Sequence, residues 1–197
     1  GTGVLTSEKD GTLDEASLVR LVTSVSELVA SGIPCVMVSS GAVGAGVSAL
    51  KLGGYPQDTA SRQACAAVGQ TRLMHAYENL FQKFRLNVAQ ILLTASDLDH
   101  ERPSNHVMDT LHRLLEEKNI VPIINENDTV AVQELRVGDN DMLSARVSRL
   151  LEARLLVMLS TVDGLQDDDG GVMTEVRNID AVAQHVRSDH GKFSIGG

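Results

Sequence analysis

The chain has 197 residues, enough for one domain or at most two small ones. It is 43% hydrophobic but only 3% aromatic, with no Trp, so its core must be aliphatic, which suits stacked βα units with Val/Ile/Leu-rich strands. The formal net charge of -9 argues against a broad surface for nucleic acid or an anionic membrane, while a local pocket of opposite sign could still hold an anion.

Cys35 and Cys65 lie in apolar surroundings without CxxC spacing. They read as reduced core thiols of a cytoplasmic protein rather than a disulfide or zinc site. No signal peptide or apolar run of transmembrane length is legible, so no membrane partner is expected.

In chain order, Gly1 to Thr6 reads as a glycine turn, a weak phosphate-cradle signal for which an ordinary turn is the simpler reading. Helical periodicity covers Leu13 to Ala30, with a stripe of Val19, Val22, Val25 and Val29. Asp14 or Thr12 can cap its start and Gly32 its end. Ile33 to Val38 is a short apolar strand, expected to be buried on both faces. It runs into the small-residue stretch Ser39 to Gly46 and then a helix. A helix N-terminus behind such a loop favours anions, but a merely tight strand–helix contact accounts for it equally well. The spacing matches neither GxGxxG nor GxxxxGK[ST].

Thr59 to Phe84 is the longest helical region, with Gly69-Gln70 marking a close helix contact. Leu86 to Thr94 reads as a strand and 105–118 as a helix. His75, His100, His106 and His112 share no metal-like spacing and read as surface residues. Ile120 to Ile124 is a strand, Asp141 to Leu151 a helix and Leu155 to Leu159 a further strand. Asp167, Asp168 and Asp169 read as a solvated acidic turn, and Ile179 to Val186 as a short helix. Repeated β-α units with short connections mean an α/β fold: a three-layer αβα sandwich with a mostly parallel open sheet.

The stretch from Ile123 to Ala145 carries two Asn/Asp clusters, Asn125 to Asp128 and Asp139 to Asp141, separated by a short β-excursion. Each alone reads as a solvated turn. Together, with the first one directly after a strand, they read as a site, because open α/β sheets bind ligands beyond the carboxyl ends of their strands.

At this point the chain resembles the amino acid kinase family, and its glutamate-phosphorylating branch in particular. The resemblance rests on GTGVLT at Gly1, VSSGAVGAG from Val38, AAVGQTRLM from Ala66, the run from Gln90 to Leu115, PIINENDTV from Pro122 and VGDNDMLSA from Val137. It covers most of the chain, as a single domain over 1–197 that is cut at both ends. It implies transfer of a phosphoryl group from ATP, with Mg2+, to the γ-carboxylate of L-glutamate, the first step of proline synthesis. Glutamate presents one ammonium and two carboxylates. Asn125, Asp128, Asp139 and Asn140 can supply oxygens to the ammonium. Ser40, the Gly41 and Ala42 N–H groups and the Asn140 amide can donate to the carboxylates. By match, Asp141 is the aspartate that organises the family's two catalytic lysines, which fall outside these residues. Gly1, Thr2, Ser160, Thr161, Gly196 and Gly197 match nucleotide-binding positions, although Ser160-Thr161 departs from the family's usual Thr-Asp or Ser-Asp. No protein-held metal is assigned. The resemblance further implies proline as a feedback inhibitor and a homo-oligomer of two or four chains. Two other readings compete: a kinase acting on another amino acid, such as N-acetylglutamate, and a catalytically silent amino-acid-binding module of the same fold.

Overall fold

The computed structural model describes residues 2–6, 12–130, 140–166, 169 and 171–178. After the short helix α1 (Thr2–Leu5) come α2 (Glu15–Ala30), strand β1 (Met37–Val38), α3 (Ala42–Ala49) and α4 (Thr59–Phe81), the last closed by a 3-10 turn over Gln82–Phe84. Strand β2 (Asn87–Leu93), α5 (Ala95–Asp99), α6 (Glu101–Glu116), β3 (Ile120–Glu126) and α7 (Asn140–Leu150) follow. The strands form a parallel sheet in the order β1-β3-β2.

The sheet divides an apolar core into two layers. Successive side chains of a strand point to opposite faces, and the central strand shows it directly. Val121 and Ile123 pack with Leu18 and Val22 of α2 and with Leu73, Tyr77 and Phe81 of α4. Ile124 packs the other way, with Leu93, Leu111 of α6, and Leu143 and Val147 of α7. This is the expected three-layer αβα arrangement. Pro122 sits within β3 although proline cannot donate to a ladder. Asn127 donates to the Leu93 carbonyl of β2, so by alternation the nitrogen of Pro122 faces β1, whose pairing begins only at Met37 opposite Ile123.

The start of α2 is capped by Asp14, whose carboxylate accepts from the Ala16 and Ser17 amides. These bonds, led by the Ser17 hydroxyl, hold the Asp14 carboxyl below its ordinary value. Gly32 ends α2 in the left-handed region at φ 82°.

Several expectations are corrected. The buried face of α2 centres on Leu18, Val22 and Val25, and Val19 is exposed. Residues 33–36 lie outside β1, and Ile33 is half exposed, so the strand is shorter and less enclosed than its apolar sequence suggests. The residues after Gly1 form a helical turn rather than an open glycine loop. Leu155 to Leu159 are irregular rather than a strand, with Leu155 76% exposed. The β-excursion, most of the acidic turn and the 179–186 helix fall outside the described residues. No described helix is long and apolar enough to cross a membrane.

Candidate active site

Two loops meet at the carboxyl edge of the sheet. The first leaves β1. The Ser39 N–H donates to the Ile124 carbonyl at 2.8 Å, and its hydroxyl lies 2.9 Å from the Tyr77 hydroxyl of α4. Both side chains are buried, and burial pushes the Tyr77 phenol up to about 12. Ser40 is therefore presented from a fixed base. Gly41 follows with φ 98° and serves as the N-cap of α3 without a side-chain cap bond. A Cβ there would stand 3.1 Å from the Thr6 methyl. The first N–H groups of α3 are thus left for a ligand, and a helix N-terminus attracts negative charge.

The placement of α3 depends on two glycines. A Cβ on Gly46 would fall 1.9 Å from the Cys65 carbonyl oxygen, and one on Gly69 would fall 1.7 Å from the Ala42 carbonyl oxygen. Only hydrogen at both positions lets α3 and α4 cross this closely. The close helix contact read from Gly69 is real, and it presses on the residue that opens α3.

The second loop leaves β3. Asn125 is 2% exposed. Its Oδ1 accepts from the Glu126 N–H at 2.9 Å, and its Nδ2 donates to Gln70 Oε1 at 2.8 Å. Asp128 is half-buried; desolvation pushes its carboxyl up, and the charge of Arg62 draws it part of the way back. A small cleft lies between the loops, lined by Ala42, Gln70, Glu126, Asn127 and Asp128 among others.

Ser40 Oγ and Gln70 Nε2 at these loops, and Asn140 Oδ1 at the start of α7, are buried with no hydrogen-bond partner among the described residues. Buried polar groups are nearly always paired, so such atoms call for an explanation. A ligand that offers oxygens to the two donors and a proton to the amide oxygen would supply one.

Ser40, Gly41, Ala42, Asn125 and Asp128 thus share one edge of the sheet. Asn140 and Asp141 open α7, which packs against β1 and β3 through Leu143 and Val147 and is tied to α5 by the Arg146–Asp99 ion pair at 2.7 Å. The Asp141 side chain is exposed, and its carbonyl accepts from Ser144. Ser160 and Thr161 are exposed and do not line the cleft. Thr2 lies in α1. Gly1, Asp139, Gly196 and Gly197 lie outside the described residues. The residue-level reading omits Gln70, Arg62 and Tyr77. Only Gln70 carries a sequence signal, its place beside the contact glycine Gly69.

The comparisons with known proteins agree with this architecture. The model of the amino acid kinase family matches residues 1–195, and the chain belongs to that family. Three relatives are named glutamate 5-kinase. That of Geobacter sp. (strain M21) is 50% identical over 169 residues, covering 86% of this chain and 45% of the relative. That of Geobacter sulfurreducens is 46% identical over 187 residues, covering 95% and 50%. That of Clostridium acetobutylicum is 41% identical over 197 residues, covering the whole chain and 72% of the relative. The chain spans about half the length of the two Geobacter relatives.

Proposed function

We propose that this chain carries an ATP-dependent kinase that phosphorylates the γ-carboxylate of L-glutamate, giving glutamyl 5-phosphate for proline synthesis. The observation that carries this reading is a cleft that has Ala42, at the end of the donor-rich Ser40–Ala42 turn, on one side and Asn127 and Asp128 of the acceptor-rich loop after β3 on the other. A free amino acid is a ligand with both polarities at its two ends. The names of the relatives support the choice of glutamate.

In this reading Asp128 and the remaining lone pair of Asn125 Oδ1 meet the substrate ammonium, with Asn140 closing the site from α7 and Asp139 assigned to the same role. Ser40 and the Gly41 and Ala42 amides meet a carboxylate. The nucleophile is a carboxylate ionised at neutral pH, so no general base is needed. The protein has to position two anions and hold their charge. Asp141, exposed at the first turn of α7, suits an organising role for cationic groups. ATP supplies the phosphoryl group. Ser160 and Thr161 offer exposed hydroxyls to it, with Gly1, Thr2, Gly196 and Gly197 assigned to the same role. Mg2+ would ride on the phosphates, a mode in which the protein adds few ligands. Proline inhibition, a cytoplasmic setting and a homo-oligomer belong to the same proposal. An N-acetylated amine would lose its charge and with it the reason for Asp128.

The test is trapping of the acyl phosphate. The intact protein with glutamate, ATP, Mg2+ and hydroxylamine should yield γ-glutamyl hydroxamate, and N-acetylglutamate should yield almost none. Asp141→Asn should lower turnover by about 10²–10³-fold, the scale of losing one preorganised charge-stabilising group, with unfolding unchanged. Full activity in that variant would falsify its assigned role.

A further inference from the structure

The polarity of the Asn125–Gln70 pair is fixed by the backbone. The Glu126 N–H can only donate, so the Asn125 atom 2.9 Å from it is an oxygen. The other end of that amide is then Nδ2, which can only donate, so it faces an oxygen of Gln70 at 2.8 Å. The remaining end of Gln70 is therefore an N–H donor. That Nε2 is buried, has no partner among the described residues, and belongs to a residue lining the cleft beside Ala42 and Asp128. Its neighbour Gly69 touches the Ala42 carbonyl, which brings Gln70 to the start of α3, the anion-favouring side of the cleft.

We propose that Gln70 contacts the substrate and sets its specificity, donating from Nε2 to a carboxylate oxygen of the amino acid, while Asn125 acts as the residue that positions it. This rests on the amino acid kinase reading above. It gives Asn125 a second duty, because its amide nitrogen is committed to orienting Gln70. It also explains why a fully buried asparagine stands near the end of the central strand: an apolar residue there would leave the Gln70 amide free to turn its oxygen toward the substrate carboxylate.

Gln70→Glu is the sharpest variant. It keeps an oxygen for Asn125 Nδ2 and replaces the donor with a charge that repels a carboxylate. In the intact protein the KM for glutamate should rise at least about tenfold, the scale of a hydrogen bond to a charged group, with the KM for ATP within about twofold and the thermal midpoint close to wild type. A merely structural Gln70 would shift the midpoint and both KM values together, and that outcome overturns the proposal. So does a glutamate KM within about twofold of wild type, which would mean that the amide is hydrated. A second measurement needs no folded variant of uncertain stability. In the wild-type protein, the Gln70 side-chain amide resonances should shift on adding glutamate and stay in place with ATP alone; unmoved resonances overturn the proposal. If the wild-type protein neither binds glutamate nor forms hydroxamate, the underlying reading fails and this inference falls with it. Wild-type activity with an unperturbed Gln70→Glu variant refutes this inference alone.

Discussion

The hydroxyls of Ser39 and Tyr77 meet at 2.9 Å inside the core, joining the turn that presents Ser40 to α4. Tyr77→Phe keeps the ring and its stacking on Phe81, 6.4 Å away between centroids, but leaves the Ser39 hydroxyl with only its 3.3 Å bond to the Ser40 carbonyl. Losing one such hydrogen bond costs about 0.5–1.5 kcal/mol. The thermal midpoint should fall by roughly 2–4 °C per kcal/mol. The raised phenol is protonated in both folded and unfolded states below about pH 10, the ordinary value. The loss should therefore be flat across neutral pH, which melts at pH 6, 7 and 8 would check.

Gly69→Ala should be among the most damaging small changes in the chain. Its methyl would meet the Ala42 carbonyl, a backbone atom that cannot rotate aside. Overpacking a tight contact typically costs about 1–3 kcal/mol, sometimes more. Here the displaced group opens α3, so substrate affinity should fall along with stability. Gly53→Ala is the control: nothing lies within 4 Å of the place its methyl would take, and its stability should stay within about 0.5 kcal/mol of wild type. Chemical denaturation of both variants gives the comparison.

Ser40→Ala should separate stability from binding. The Ser40 hydroxyl is buried without a partner among the described residues, so deleting it removes a desolvation penalty from the unliganded fold. The melting midpoint should hold or rise by a few degrees, on the scale of about 1 kcal/mol. The KM for glutamate should rise in the same variant. Such opposed effects are the signature of a site group that is costly to the fold. A lowered midpoint with unchanged KM would assign Ser40 to packing.

Asp128 should make substrate binding pH-dependent. Burial raises its carboxyl above 3.8, so in the free protein the protonated form is favoured and the stability it lends is lost as pH rises through the folded value. A bound ammonium reverses the preference. The KM for glutamate should therefore fall as pH rises through that value and level off above it. Asp128→Asn should raise the KM and abolish this acid limb; a KM–pH profile of the two proteins is the check.

Much of this was readable from residues alone, for physical reasons. Asp14 and Gly32 mark their helix ends because caps answer to local geometry. The Asn125–Asp128 cluster falls at the carboxyl edge of the sheet because it follows a strand directly. What local pattern could not supply was partnership. Leu155 to Leu159 carries every apolar signal of a strand, yet a strand exists only where another pairs with it. Val19 and Leu18 are equally apolar, and only the position of the sheet decides which is covered. Gln70 is an unremarkable helix residue until Asn125, 55 positions later, fixes its polarity.

The central strand also works as a ruler. Ile123 belongs to one core layer, Ile124 to the other, and Asn125 arrives next at the carboxyl edge of the sheet. One inserted residue upstream in β3 would exchange the two isoleucines between layers and turn the asparagine away from its glutamine. Length changes can accumulate in the surrounding loops over evolutionary time, but those few positions must be inherited without gain or loss.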